Sequence, residues 1–215
     1  MMDIAQSRVA SIALAAVEGD GFVLAGGYAI AVHGIGDRPS DDIDLFTNLI
    51  DPGHFAAATH KVTDALSAAG WVVEVARAAE TFARLTASRD AETVTLDLGV
   101  DYRRFPPAVM TLGPVLSLED AAGSKMSALY GRGEVRDYID VYAVAQSGAF
   151  SPQQILALGD DREATPMDRA ILSQRLLDAT HLSDTAFAEY GVDAEKAAVI
   201  RSFIASWGHA LVSSE

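Results

Sequence analysis

Residues 24–46 read LAGGYAIAVHGIGDRPSDDIDLF, and this stretch decides the fold. Phe22–Ala25 has the apolar character of a buried strand and runs into Gly26-Gly27, followed by a short helical segment, Tyr28–His33. A polar loop, Gly36-Asp37-Arg38-Pro39-Ser40, precedes Asp41-Asp42-Ile43-Asp44-Leu45-Phe46, with a second strand over residues 43–48. Alternate side chains of a strand share a face, so Asp42 and Asp44 point one way while Ile43 and Leu45 point into the core. Two carboxylates about 6–7 Å apart on one strand face repel unless a cation sits between them. An all-oxygen ligand set with room for water and phosphate suits Mg2+. The paired glycines let backbone N–H groups approach a phosphate, at a strand-to-helix turn whose dipole favours anions. Asp41 falls on the opposite strand face, a structural position with Arg38 as its expected partner.

Upstream, residues 3–18 set Ile4, Val9, Ile12, Leu14, Ala16 and Val17 at helical spacing, and Gly19-Asp20-Gly21 ends that helix. Downstream, Pro52 opens a helix that runs to Ala69 and stops at Gly70. Trp71–Ala76 and Thr81–Thr86 form an expected antiparallel pair. Thr93–Val100 alternates cleanly, with Val94, Leu96, Leu98 and Val100 on one face and Thr95, Asp97, Gly99 and Asp101 on the other. Asp97 is a lone acid in a strongly apolar strand. A buried, unpaired carboxylate is costly, so it should find a cation. Asp101 shares its face and is the rival, although it opens a charged turn with Arg103 and Arg104. Pro106-Pro107 and Gly113-Pro114 punctuate the next stretch, with a short strand expected over Val115–Leu118. From Glu119 the pattern is helical, over 119–131, 134–147, 152–159, 166–180 and 193–212. The composition shift near residue 114 predicts two domains, an α/β domain over 1–114 and a helical domain over 115–215. Mixed strands and helices followed by helices fit the α+β class.

The 215 residues carry a formal net charge of −14 with a pI near 4.6, and half of them are hydrophobic. That composition supports one domain or two small ones with a sizeable core. The charge argues against an extended nucleic-acid groove, because phosphate binding rests on Lys and Arg, yet leaves room for a local basic patch. The absence of cysteine excludes disulfides, thiol catalysis and Cys-zinc sites. No apolar run is long enough to span a membrane. The opening MMDIAQSRVASIALAAVEGD lacks the basic leader of a signal peptide, so a cytoplasmic location is expected. The five histidines show no metal-ligand spacing. Trp71 and Trp207 read as packing residues, and Arg162, Arg169 and Arg175 as a solvated face, with the lining of an acceptor groove as the alternative.

The Gly-Gly turn, the Arg38-x-Ser40 lead-in and Asp42-x-Asp44 between apolar flanks resemble the nucleotidyltransferase superfamily with the polymerase-β-like fold. Within it the chain looks most like the AbiEii/AbiGii-type toxin branch. The resemblance covers roughly residues 20–146 and implies a mixed sheet with flanking helices, followed by a helical C-terminal half. Gly27 stands where many members carry Ser, and Ser40 is the hydroxyl expected to replace it. A second block, EDAAGSKMSALYGRGEVRDYIDVYAVA over 119–145, is similar to the family's Lys on one helix and Arg-Asp-x-x-Asp on the next, here Lys125, Arg136, Asp137 and Asp140. Asp137 and Asp140 share a helix face. Asp140 has the more apolar neighbours, Ile139, Val141 and Tyr142. Arg136 and Asp140, four apart, would equally make an ordinary intrahelical ion pair.

The resemblance implies transfer of a nucleoside monophosphate from a nucleoside triphosphate to an acceptor hydroxyl by in-line attack on the α-phosphate. Asp42 and Asp44 would hold two Mg2+ ions, and Asp97 the one nearer the acceptor. Gly26, Gly27, Arg38, Ser40, Lys125 and Arg136 would bind the nucleotide, with Lys125 on the leaving pyrophosphate. Asp140 would hold the site together or position the acceptor. The toxin branch implies a two-gene toxin–antitoxin system acting on tRNA 3′ ends, with a separate antitoxin protein as partner. One alternative acceptor is a cationic small molecule such as an aminoglycoside, which an acidic surface attracts. Another reading is a binding or regulatory module that kept the fold without catalysis. The intact Asp-x-Asp and Lys125 speak against it.

Overall fold

A computed structural model describes residues 2–212. The residues up to Val32, with Ser40–Leu118, make one compact unit. His33–Pro39, with the residues from Glu119 onward, make a second.

The first unit is built on a sheet. Helix α1 (Ile4–Ala16) starts at a capping box, in which the Asp3 carboxylate accepts from the Gln6 N–H and the Gln6 side chain accepts from the Asp3 N–H. Strand β1 (Val23–Leu24) leads through helix α2 (Gly26–Val32) to β2 (Asp42–Thr47). Helix α3 (Pro52–Ala68) is capped by Asp51, with Pro52 where its missing N–H costs nothing. Strands β3 (Val72–Ala78), β4 (Phe82–Arg89) and β5 (Glu92–Val100) form an antiparallel meander, followed by a hairpin of β6 (Ala108–Met110) and β7 (Gly113–Val115). Among the described residues these make one seven-stranded sheet in the order β3-β4-β5-β2-β1-β7-β6. β2 runs parallel to β5, and β1 is antiparallel to β2 and parallel to β7. The class is α+β, as expected.

Register is fixed by an apolar row. Ala83, Leu98, Leu45, Leu24 and Val115 lie opposite one another on five consecutive strands, and each is at most 1% exposed. Leu85, Leu96 and Ile43 form the neighbouring row. Val9 and Leu14 of α1 and Phe55, Val62 and Leu66 of α3 are buried in the same core. A one-residue slip of any strand would turn its apolar set to the other face, so this core also sets what stands opposite what on the polar face.

One strand lies elsewhere than expected. The strand anticipated over Val115–Leu118 is the β6–β7 hairpin, which ends at Val115, while Leu118 opens a helix. Each hairpin strand has three residues, too few for alternation to show. Its turn rests on Gly113 at φ 132°, a conformation that favours glycine.

The second unit is helical: α4 (Leu118–Gly131), α5 (Val135–Gln146), α6 (Pro152–Asp160), α7 (Arg169–Leu177), α8 (Asp184–Ala188) and α9 (Ala194–Val212). The helix expected over 166–180 begins later, because Asp168 caps α7 by accepting from the Ala170 and Ile171 N–H groups, and it ends in a 3₁₀ turn, Asp178–His181. Helix α8 has five residues, too short for a periodic pattern, and the buried Phe187 anchors it. Gly123 lets α4 meet α6, since a Cβ there would lie 2.5 Å from the Leu158 carbonyl oxygen. The arginines expected on a solvated face are tied down instead. Arg169 pairs with Asp160, Arg175 Nε donates to the Tyr130 carbonyl at 3.3 Å, and Arg162 is buried 3.9 Å from Asp120. No described helix is long and apolar enough to cross a membrane.

Leu96→Ala should lower the stability measured by urea unfolding by about 2–5 kcal/mol, because its row cannot close over the cavity. Val75→Ala, exposed on edge strand β3, should stay within about 0.5 kcal/mol.

Candidate active site

The polar face of the same strands carries the site. Arg84 on β4, Asp97 on β5 and Asp44 on β2 lie directly opposite one another, and Asp42 precedes Asp44 by one alternation. Parallel neighbours stand about 4.8 Å apart, so the β2–β5 register brings Asp44 beside Asp97. Carboxylate oxygens of Asp42, Asp44 and Asp97 all lie within 4.8 Å of one another. Asp97 is only 5% exposed. Asp101 lies beyond the end of β5, where its carboxylate accepts from the Tyr102 N–H at 2.8 Å.

Gly26 is required twice over. It sits where β1 gives way to α2, at φ 62°, in the left-handed region. A Cβ at Gly26 would also lie 1.8 Å from Asp44 Oδ2, so the carboxylate fills the space a side chain would take. The Ala25 N–H donates to the Asp44 carbonyl at 2.8 Å and holds the turn against β2. Gly27 follows in the first turn of α2. Ser40 is held by its backbone, its carbonyl accepting from the Tyr28 hydroxyl at 2.7 Å and from Gln6 Nε2 at 3.1 Å. Burial pushes the Tyr28 phenol above its ordinary pKa, which keeps it a donor.

Arg84 is the site residue that sequence reasoning missed. Its Nε and Nη2 donate to the two oxygens of Asp97 at 2.7 and 2.5 Å, and Nη2 lies 3.7 Å from Asp42 Oδ2. These hydrogen bonds to Asp97, then the charges of Asp97, Asp42 and Asp44, raise the guanidinium pKa further above its ordinary value. The signal that finds Arg84 is the tight turn at Asp90-Ala91. Counting outward from Arg89 opposite Glu92 brings Arg84 opposite Asp97.

In the second unit Asp140 of α5 is the centre of a buried ion cluster. Arg38 Nε and Nη2 donate to its two oxygens at 2.6 and 2.7 Å, and Lys125 Nζ of α4 lies 2.9 Å away. Arg38 therefore pairs with Asp140 and not with Asp41. Burial alone would push the Asp140 carboxyl up, but the Lys125 ammonium and the Arg38 fork outweigh it and hold the carboxyl below the usual range. Arg136 does not form the intrahelical pair with Asp140. It reaches Glu134 at 2.9 Å, because the Asp140 oxygens are taken by partners from other segments. Asp137 is fully buried, accepting from Arg132 Nε and Nη2 and from the Glu134 N–H, which ties down the start of α5.

The family model described as "Nucleotidyl transferase AbiEii toxin, Type IV TA system" matches residues 10–204. The chain belongs to the AbiEii family. It is thus a nucleotidyltransferase-family toxin of type IV toxin–antitoxin systems. Solved structures share its α+β fold at low sequence identity. MenT4, a nucleotidyltransferase toxin from Mycobacterium tuberculosis H37Rv, superposes with a TM-score of 0.61 at 16% identity, over 93% of this chain and 81% of that one. JHP933 from Helicobacter pylori superposes with a TM-score of 0.54 at 16% identity, over 98% of this chain and 95% of that one. No curated protein matches the chain significantly.

In this AbiEii-family chain, Gly26→Ala adds a left-handed side-chain residue, worth about 1–2 kcal/mol, and collides with Asp44. Its urea midpoint should fall well below that of Gly131→Ala, where a Cβ meets nothing within 4 Å. Asp140→Ala leaves Arg38 and Lys125 buried without their carboxylate and should cost about 3–5 kcal/mol. The folded Asp140 carboxyl lies below its unfolded value of about 4, so its contribution is full above that pH and is lost as pH falls through the folded value. Urea midpoints between pH 6 and pH 2 should therefore drop more steeply for the wild type than for Asp140→Asn.

Proposed function

We propose that this AbiEii-family chain transfers a nucleoside monophosphate from a nucleoside triphosphate to a hydroxyl at the 3′ end of tRNA, using Mg2+, and acts as a toxin beside a separate antitoxin protein. The observation that carries this reading is the convergence of Asp42, Asp44 and Asp97 within 4.8 Å in a nucleotidyltransferase family. The cluster offers only oxygen, the donor set of hard divalent cations, and Gly26 leaves the space that Asp44 needs.

Asp42 and Asp44 would hold both ions, with Asp97 a ligand of the one nearer the acceptor. Bound there, Mg2+ would supply positive charge to the phosphoryl oxygens of the transition state. Asp97 orients the acceptor hydroxyl for in-line attack on the α-phosphate. Backbone N–H groups of Gly26 and Gly27, with the Ser40 hydroxyl, bind the β- and γ-phosphates. Lys125 neutralises the leaving pyrophosphate. Supporting that role, Arg38 and Lys125 share a single carboxylate, Asp140, which leaves one positive charge in excess in their cluster. Arg136, whose buried Nε has no hydrogen-bond partner, is a second phosphate contact. Arg38 serves as the clamp on Asp140, since both arms of its fork donate there. The net charge of −14 favours one other acceptor class, a cationic small molecule such as an aminoglycoside, because an acidic surface attracts cations and repels RNA.

The test is a transfer assay with Mg2+, each α-labelled nucleoside triphosphate in turn, and total tRNA. Label should pass to tRNA from one triphosphate, and a folded Asp42→Ala/Asp44→Ala variant should transfer at least about a hundredfold less. Label on an aminoglycoside and none on tRNA selects the second acceptor. A folded double variant as active as the wild type removes these carboxylates from the mechanism.

A further inference from the structure

The carboxylate cluster has a neighbour that the reaction above does not use. Arg84 engages both oxygens of Asp97 and approaches Asp42 at 3.7 Å. A divalent cation held by Asp42 and Asp97 would need the same oxygens, at about 2.1 Å for Mg2+. It would also face a guanidinium that already lies 2.5 Å from one of them. Two cations that close, with one set of oxygens between them, compete. The exposures decide which group gives way. The Asp97 side chain is 7% exposed and fixed on a central strand, whereas the Arg84 side chain is 46% exposed on a long, flexible stem.

We propose that Arg84 is the built-in counter-cation of the Asp42–Asp44–Asp97 cluster, and that a divalent cation binds by displacing its guanidinium from Asp97 and Asp42. The inference rests on the metal reading of these carboxylates given above. Arg84 then has two duties. Before the metal arrives it balances charges that would otherwise repel across β2 and β5. Afterwards its freed charge has no carboxylate to satisfy it and is best matched by an incoming polyphosphate. Metal alone therefore binds weakly, and metal and triphosphate reinforce each other's binding. A residue that served only to clamp Asp97 in place would have the opposite effect, since its loss would disorder a ligand and weaken the metal.

The experiment titrates Mn2+ into the full chain without nucleotide and follows free Mn2+ by electron paramagnetic resonance, so no turnover is involved. Arg84→Met keeps the apolar stem and removes the charge. It should bind Mn2+ at least about fivefold more tightly than the wild type. Arg84→Lys, which keeps a charge but cannot make the fork, should fall between the two and guards against misfolding of the Met variant. Mg2+ should also raise the melting temperature of Arg84→Met by more than that of the wild type. Equal or weaker Mn2+ binding by a folded Arg84→Met overturns the displacement role and leaves the metal reading in place. No Mn2+ binding by any of the three proteins overturns both.

Discussion

Three carboxylates within 4.8 Å of one another repel, and much of the first unit is arranged to hold them there. The work is done on the opposite face of the same strands. Ala83, Leu98, Leu45, Leu24 and Val115 make a continuous buried row across five strands. Burial of that row leaves one register open to β4, β5 and β2, because a slip of one residue would put leucines in water and carboxylates in the core. The register that satisfies the leucines is the one that sets Asp44 beside Asp97. Two local features then make the crowding tolerable. Gly26 has no Cβ where Asp44 needs room, and Arg84 supplies positive charge from the neighbouring strand.

The second unit handles charge by different means. Asp140, Lys125 and Arg38 are buried together, as are Asp120 and Arg162, while the buried Asp137 meets a half-exposed Arg132. Burying ions is expensive, and a buried pair often adds little net stability over a well-packed apolar pair. Breaking one is costly all the same, because the partner is left uncompensated. Such a cluster favours the arrangement of α4, α5 and the Arg38 segment that brings both cations onto Asp140. Arg38 belongs to the second unit although it precedes β2, and there it pairs with Asp140.

Membership of the AbiEii family and the fold shared with MenT4 give these local arrangements a common setting. The net charge of −14 is spread over the chain, while the cationic side chains near the functional blocks are committed to named carboxylates: Arg84 to Asp97, Arg38 and Lys125 to Asp140, Arg132 to Asp137. Each of these cations is held in a defined place by a carboxylate partner within the fold.

Local pattern was enough to determine the α+β class, the strand carrying Asp42 and Asp44, the Gly26 turn and the alternation that sets Asp97 apart from its apolar neighbours. Each of these depends on residues a few positions apart, where backbone geometry alone relates the side chains. The short elements were not legible, because β6, β7 and α8 are shorter than a period can reveal. Nor were the partners. Arg84 and Asp97 are 13 residues apart and meet through a hairpin register, and Arg38 and Asp140 are 102 apart and meet through the path of the chain. Asp41 and Arg136, the partners that nearness in sequence offers to Arg38 and Asp140, were both displaced. Tertiary structure decided these pairings because a buried charge takes the partner that burial brings to it, whatever lies next to it along the chain.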